Sequence, residues 1–152
     1  MTKKPIYLED FEVGVTHESP PHLISEEEVI AFARRYDPQY FHTDPEAAKN
    51  SVFGGLVCAG FQTAALTWAL ALKTGMFADC ALAGMGLDDV RWLAPVRPGD
   101  VLRCRFTALE ARLSASRPDA GISRMRYELV NQDDQPVITL VMIQLMRRRP
   151  AA

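Results

Sequence analysis

Cysteine is scarce in this chain, and its three copies, Cys58, Cys80 and Cys104, share no metal-binding spacing. Because their number is odd, they do not indicate a disulfide framework either. His17 and His22 are not joined by further ligand types at suitable intervals, so we predict no metal site. Unpaired cysteines favour a reducing compartment, and we expect a cytoplasmic protein.

The sequence also lacks an excess of charge and any long apolar run. Its 17 basic and 19 acidic residues give a net charge of −2, and the basic residues are scattered, which argues against nucleic acid as a partner. The apolar runs at 66–72 and 137–143 are far shorter than the roughly 20 residues that a membrane helix needs. Acids stand near the N-terminus where a signal peptide would be apolar. We therefore expect a soluble protein without a membrane partner.

No repeat or long polar linker divides the chain, which predicts a single domain over residues 1–152. Ser25-Glu26-Glu27-Glu28 has the form of a capping box and predicts a helix that Pro38 ends, so that Asp37 lies just past its C-terminus. A short helix is expected at 44–49. Residues 61–74 predict a helix that is apolar nearly all round and must be wrapped by other elements.

The second half of the chain has the alternation and turn residues of β-strands. We predict strands at 87–92, 101–109, 123–131 and 137–146, and a short one near 15–19. Their connections are short enough for antiparallel pairing. The sequence thus predicts an α+β fold in which an antiparallel sheet wraps the apolar helix.

Several motifs occur in a distinctive order: Asp37-Pro38-Gln39-Tyr40-Phe41-His42 with Asp44, Phe53-Gly54-Gly55, Ala59-Gly60, and Pro95-Val96-Arg97-Pro98-Gly99-Asp100. Here the chain resembles the MaoC-like dehydratases, which include the (R)-specific enoyl-CoA hydratases. That family shows Asp-x-Asn-Pro-x-His, a Phe-Gly loop ending in Ala-His-Gly, and Pro-Val-x-x-Gly-Asp. The resemblance spans about residues 25–146. It implies a hot-dog fold, usually a homodimer or higher homo-oligomer with its active site near the subunit contact.

The resemblance implies that Asp37 and His42 are the catalytic pair and that the Gly60 amide is an oxyanion donor. The expected reaction adds water to an enoyl thioester or removes it from a 3-hydroxyacyl thioester. Such a reaction needs a base, an acid and a donor for the enolate oxygen. No cofactor is expected beyond the coenzyme A or acyl carrier protein that forms part of the substrate.

The substrate-binding candidates are the residues around these motifs: Tyr40, Phe41, Phe53, Gly54, Gly55, Ala59 and Thr63. Thr63 and Thr67 are candidates for a hydroxyl that orients the water. Two positions depart from the family pattern, since Gln39-Tyr40 replaces Asn-Pro and Ala59 replaces His. The basic run 147–149 is a candidate for binding the coenzyme A phosphates.

Two other functions remain open on the sequence. A hot-dog acyl-CoA thioesterase is one, although such enzymes usually carry a carboxylate on or near the central helix, and residues 61–72 have none. A non-catalytic subunit that binds acyl thioesters is the other, favoured by Ala59. Taken singly, Asp37 is also a common turn residue and His42 a common buried structural histidine.

Overall fold

The computed structural model describes residues 4–151, so residues 1–3 and 152 of the predicted domain lie outside it. Helices precede long strands along the chain. After a 3-10 turn at Leu8–Asp10, the elements are β1 (Thr16–Glu18), β2 (His22–Leu23), α1 (Glu26–Tyr36), α2 (Tyr40–Thr43), α3 (Pro45–Ala48), α4 (Gly60–Lys73), β3 (Ala81–Trp92), β4 (Val101–Leu113), β5 (Ala120–Val130) and β6 (Pro136–Arg147). Within the described residues, no helix is both long and apolar enough to span a membrane.

One antiparallel sheet has the strand order β1-β4-β5-β6-β3, and β2 pairs with β4 outside this path. In β4, Leu102, Cys104, Phe106 and Ala108 are buried while their neighbours are only partly so, which is the alternation of a strand with one face on a core. Helix α4 packs on that face against β4 and β5. The predicted α+β arrangement of a sheet around an apolar helix is confirmed.

The aromatic part of the core lies under α4. Trp68 of α4 meets Tyr127 of β5 edge to face at 6.1 Å between ring centroids. Phe77, just after the helix, packs against Phe106 of β4 at 5.3 Å. These contacts fix the side of the sheet on which the helix lies.

Helix α1 begins as predicted, but only half of the expected capping box forms. The Ser25 hydroxyl accepts a hydrogen bond from the Glu28 amide at 3.1 Å. The Glu28 carboxylate turns away from Ser25 and binds His22 Nε2 at 2.9 Å. The reason is tertiary, since pairing of β2 with β4 brings His22 to this helix end.

Several predicted boundaries were wrong. Strand β3 starts at Ala81, six residues before the predicted start, and β2 and α2 were not expected. Residues 81–86 contain alanine and glycine but no β-branched residue, so local propensity does not indicate a strand. Pairing with β6, interrupted by register shifts, makes them one. Strand β4 continues to Leu113, and β5 begins at Ala120.

A cluster of four charged side chains joins β1 and β4 to the turn before β6. Arg105 Nε donates to Glu18 at 2.6 Å, and Arg103 Nη1 donates to the same carboxylate at 3.0 Å. Both arginines also bind Asp134. The hydrogen bond from Arg105 is the largest influence that lowers the pKa of Glu18, and that from Arg103 is the largest that lowers the pKa of Asp134.

These lowered pKa values predict a loss of stability in acid. A carboxyl group with a lowered pKa stabilises the folded state above its ordinary pKa, 4.5 for Glu18 and 3.8 for Asp134, and this gain disappears as pH falls through the folded value. When thermal unfolding is followed from pH 6 to pH 3, the midpoint temperature should decrease once the pH is below about 4.5. In Arg105→Gln, the decrease in midpoint temperature over this pH range should be smaller by a few degrees. Parallel curves for variant and wild type would contradict the assignment of this acid sensitivity to the charged cluster.

Candidate active site

A pocket of about 400 Å³ opens beside the amino end of α4. Its walls come from the α1–α2 connection, from α2, from the loop before α4, from the first turn of α4, and from the end of β3 with the segment after it. The lining residues are Asp37, Gln39, Phe41, His42, Phe53, Val57, Cys58, Gly60, Phe61, Thr63, Trp92, Leu93, Ala94, Pro95 and Val96. Most of this surface is apolar. Within residues 4–151, its titratable side chains are Asp37, His42 and the buried Cys58.

Asp37 and His42 come together in this pocket. Asp37 is the C-cap residue of α1, and Pro38 diverts the chain before α2 presents His42. Asp37 Oδ2 lies 3.6 Å from His42 Nε2, and the two side chains are 19% and 6% exposed. This distance is too long for a direct hydrogen bond, so the two atoms are not bonded to each other. They are close enough for one small molecule to form a hydrogen bond with each.

The orientation of His42 is fixed from behind. Its Nδ1 donates a hydrogen bond of 2.7 Å to the Val57 carbonyl, which can only accept. The Val57 amide in turn donates to the Phe41 carbonyl at 3.1 Å, so α2 and the loop before α4 hold each other. In the neutral ring the proton is therefore on Nδ1, and the lone pair of Nε2 faces Asp37 and the pocket.

Gly60 is the first residue of α4, and its amide makes no hydrogen bond with any residue between 4 and 151. An unpaired amide at a helix start is a ready donor. Its surroundings favour glycine, because a Cβ at position 60 would lie 2.8 Å from Trp92 Nε1. The same nitrogen donates to the Gly60 carbonyl at 2.9 Å.

The substrate-binding candidates divide into two groups. Phe41, Phe53 and Thr63 line the pocket, whereas Tyr40, Gly54, Gly55 and Ala59 do not. The reasons for the second group are local. Tyr40 is half-exposed and packs against Phe41. Gly54 adopts a positive φ of +66°, and Gly55 lies beside Arg97. Ala59 is fully buried as the N-cap of α4.

The two threonine hydroxyls are engaged with the helix backbone. Thr63 Oγ1 donates to the Gly60 carbonyl and Thr67 Oγ1 to the Thr63 carbonyl, each at 2.7 Å. Thr67 does not line the pocket. Neither hydroxyl proton is free to orient a water, although the Thr63 oxygen retains acceptor capacity beside the pocket.

Sequence reasoning missed much of the pocket wall. Phe61, Val57 and Trp92 were not candidates. Pro95 and Val96 were noted only as part of a motif, and Gln39 only as a departure from the family pattern. Phe61 and Trp92 are both more than half exposed and meet edge to face at 6.0 Å between ring centroids. No short-range pattern places the end of β3 beside the start of α4, so no signal in the sequence marked this wall.

A larger cavity of about 460 Å³ lies between Trp68 and the inner face of β3 and β6. In the part of the chain that the structure describes, none of its lining residues is titratable: they are Trp68, Ala81, Leu82, Ala83, Gly84, Gly86, Leu87, Met142 and Gln144. Proton transfer needs such a group, so the smaller pocket with Asp37 and His42 is the candidate active site.

The basic run 147–149 lies far from the pocket in the same chain. Arg148 Nε and the Arg149 amide both bind the Glu9 carboxylate. Met146 pairs with Ala81 at one end of β3, whereas Trp92 at the other end lines the pocket. At about 3.3 Å per residue, these ends are roughly 35 Å apart. Binding of the coenzyme A phosphates by this run, as the sequence suggested, stays a prediction.

A family model for the MaoC-like domain matches residues 11–128. The chain belongs to the MaoC-like family. The crystal structure of the MaoC-like dehydratase from Rhodospirillum rubrum superposes with a TM-score of 0.86 at 36% identity, over 96% of this chain and 99% of that one. The sheet wrapped around α4 is accordingly the hot-dog fold.

Two further relatives are similar in sequence. Uncharacterized protein YdeM of Bacillus subtilis is 29% identical over 142 residues, which cover 93% of this MaoC-like chain and 99% of that protein. The 3-hydroxyacyl-thioester dehydratase Z of Mycobacterium tuberculosis is 39% identical over 82 residues, covering 53% of this chain and 54% of that protein.

The cysteine in the pocket of this MaoC-like protein should be unreactive. Burial raises the pKa of the Cys58 thiol from 9.0 to about 12. At pH 8 this lowers the fraction of thiolate by about a thousandfold. At pH 8, iodoacetamide should therefore label Cys58 far more slowly in the folded protein than in the denatured chain, as measured by peptide mass spectrometry. Rapid labelling in the folded state would make Cys58 a possible nucleophile and would contradict this assignment.

Proposed function

We propose that this protein is a hydro-lyase that adds water to an enoyl thioester or removes it from a 3-hydroxyacyl thioester. The observation that carries the proposal is the convergence of Asp37 and His42 at the amino end of α4, with 3.6 Å between Oδ2 and Nε2. The relation to 3-hydroxyacyl-thioester dehydratase Z supports the same reaction class.

The geometry suits a shared water molecule. A water at about 2.8 Å from each atom fits above a pair of acceptors 3.6 Å apart. As its oxygen attacks Cβ, one proton passes to Nε2 of His42, whose lone pair the Val57 carbonyl has fixed toward the pocket. The Asp37 carboxylate accepts a hydrogen bond from the other O–H of the water, which becomes the hydroxyl group on Cβ, and it stabilises the imidazolium. The imidazolium then delivers its proton to Cα, which completes the addition.

Negative charge develops on the thioester oxygen as the enolate forms. The unpaired Gly60 amide, at the start of the 14-residue helix α4, is the donor best placed for it. Loss of one such donor typically raises a barrier by about 3 to 4 kcal/mol.

The apolar walls fit an acyl group. Phe41, Phe53, Phe61 and Trp92 line the pocket, and no lysine or arginine within residues 4–151 does. The reaction needs no cofactor, because both proton transfers and the enolate stabilisation come from the protein. The proposal applies equally to a thioester of coenzyme A and to a thioester of an acyl carrier protein.

Asp37→Asn and His42→Ala should each lower the rate of crotonyl-CoA hydration by about 10²- to 10⁴-fold, because each removes a proton-transfer group. The assay follows loss of the conjugated thioester absorbance, and a thiol reagent in a parallel sample detects coenzyme A release. His22→Gln is the matched control, since this histidine pairs with Glu28 and does not line the pocket. Thiol release by the wild type would favour a thioesterase, and binding without turnover would favour a non-catalytic subunit.

We also propose that two copies pair through β3. This strand forms one edge of the sheet, and no other strand within residues 4–151 covers its outer side. Its exposed apolar side chains include Met85 (57%), Leu87 (51%) and Trp92 (52%). An unpaired edge with such side chains is a surface that proteins usually cover. Because Trp92 also lines the pocket, the dimer contact and the active site would adjoin.

The dimer proposal predicts that Met85→Lys converts the protein to a monomer at about 10 μM, because a charge placed on the edge opposes burial against a second copy. Analytical ultracentrifugation measures the result. Leu23→Lys on β2 is the control, since Leu23 is 64% exposed and lies away from β3. A monomeric wild type, or equal dissociation by both variants, would reject pairing through β3.

A further inference from the structure

Gln39 is bonded to both members of the Asp37–His42 pair. Its Nε2 donates a hydrogen bond of 2.8 Å to Asp37 Oδ1, and its backbone amide donates to the Asp37 carbonyl, also at 2.8 Å. Its carbonyl accepts from the His42 amide at 3.0 Å. Gln39 also lines the pocket.

The side-chain bond gives the two oxygens of Asp37 different surroundings. Oδ1 is held by the carboxamide, and Oδ2 is the oxygen that faces His42 Nε2 at 3.6 Å. The terminal torsion of an aspartate is soft and roughly two-fold, so it does not by itself fix the plane of the carboxylate. A hydrogen bond to an ionised acceptor is among the stronger restraints available to a side chain.

The backbone of this turn is held without the carboxamide. Pro38 restricts its own φ, and the bond from the Gln39 amide to the Asp37 carbonyl closes a three-residue turn around it. Gln39 then serves as N-cap residue of α2 without a capping bond from its side chain. The carboxamide is therefore committed to the Asp37 carboxylate, and its removal leaves the turn and the helix start in place.

We infer that Gln39 is a positioning residue, whose carboxamide orients the Asp37 carboxylate so that Oδ2 faces His42 and the water that they share. This inference rests on the proposed hydration reaction. It assigns a specific task to a residue that departs from the family pattern at this position. The task requires a donor, so a side chain of equal length without one does not perform it.

Gln39→Met keeps the length of the side chain and removes the donor. It should lower kcat for crotonyl-CoA hydration by about 10- to 100-fold, the effect expected when a catalytic group loses its alignment. KM should stay within about twofold and the unfolding midpoint should not change, because the backbone bonds of the turn remain. Gln39→Asn retains a donor and should keep a larger share of kcat than Gln39→Met does.

Thr43→Val is the matched control for local structure. Thr43 Oγ1 donates to the Gln39 carbonyl at 3.1 Å, so this change weakens the same turn without touching Asp37. It should leave kcat within about twofold of the wild type, because the carboxylate keeps its donor. Equal losses of kcat in Thr43→Val and Gln39→Met would make the role of Gln39 structural and overturn the inference.

A crystal structure of Gln39→Met supplies a readout that does not depend on turnover. The Asp37 carboxylate should be rotated or should occupy more than one orientation, whereas an unchanged carboxylate would overturn the inference. An inactive wild type would refute the proposed function and not this positioning role. An active wild type with full kcat in Gln39→Met would refute the positioning role alone.

Discussion

Burial of α4 is the constraint on which the rest of the molecule depends. Leu70 and Ala71 are completely buried, and Trp68 packs on Tyr127 of the sheet. A helix with so little polar surface is stable only when other elements cover it, and the antiparallel sheet does so. Burial also fixes where the helix begins. Gly60, the first residue of the helix, is therefore held at one defined place, and it lines the pocket there.

The candidate site combines parts whose rigidity has different sources. The Val57 carbonyl fixes His42 from the loop before α4, and Gln39 restrains Asp37 from within the turn that carries it. The amide of Gly60 is fixed by the helix itself. In the reaction that we propose, donors and acceptors held in this way act on a polar reaction centre, and the apolar walls hold the acyl chain.

Elements with strong local signals were predictable, and those created by pairing were not. Ser25 starts α1 through its hydroxyl, and Pro38 ends it, as short-range stereochemistry requires. Residues 81–86 of β3 and the two residues of β2 become strands only through partners distant in the sequence. Likewise, Glu28 was expected to complete the cap, but His22 competes for it once β2 is in place.

The sequence by itself determined the apolar helix, the order of the longer helices and strands, and the five-residue spacing that puts Asp37 and His42 on either side of one turn. These follow from side-chain type and local geometry. Only the tertiary structure decided the pocket wall of Phe61 and Trp92, the close approach of the Trp92 indole to Gly60, and the exclusion of Tyr40 from the pocket. The reason is that such contacts join residues tens of positions apart, and their geometry follows from how the sheet closes around the helix.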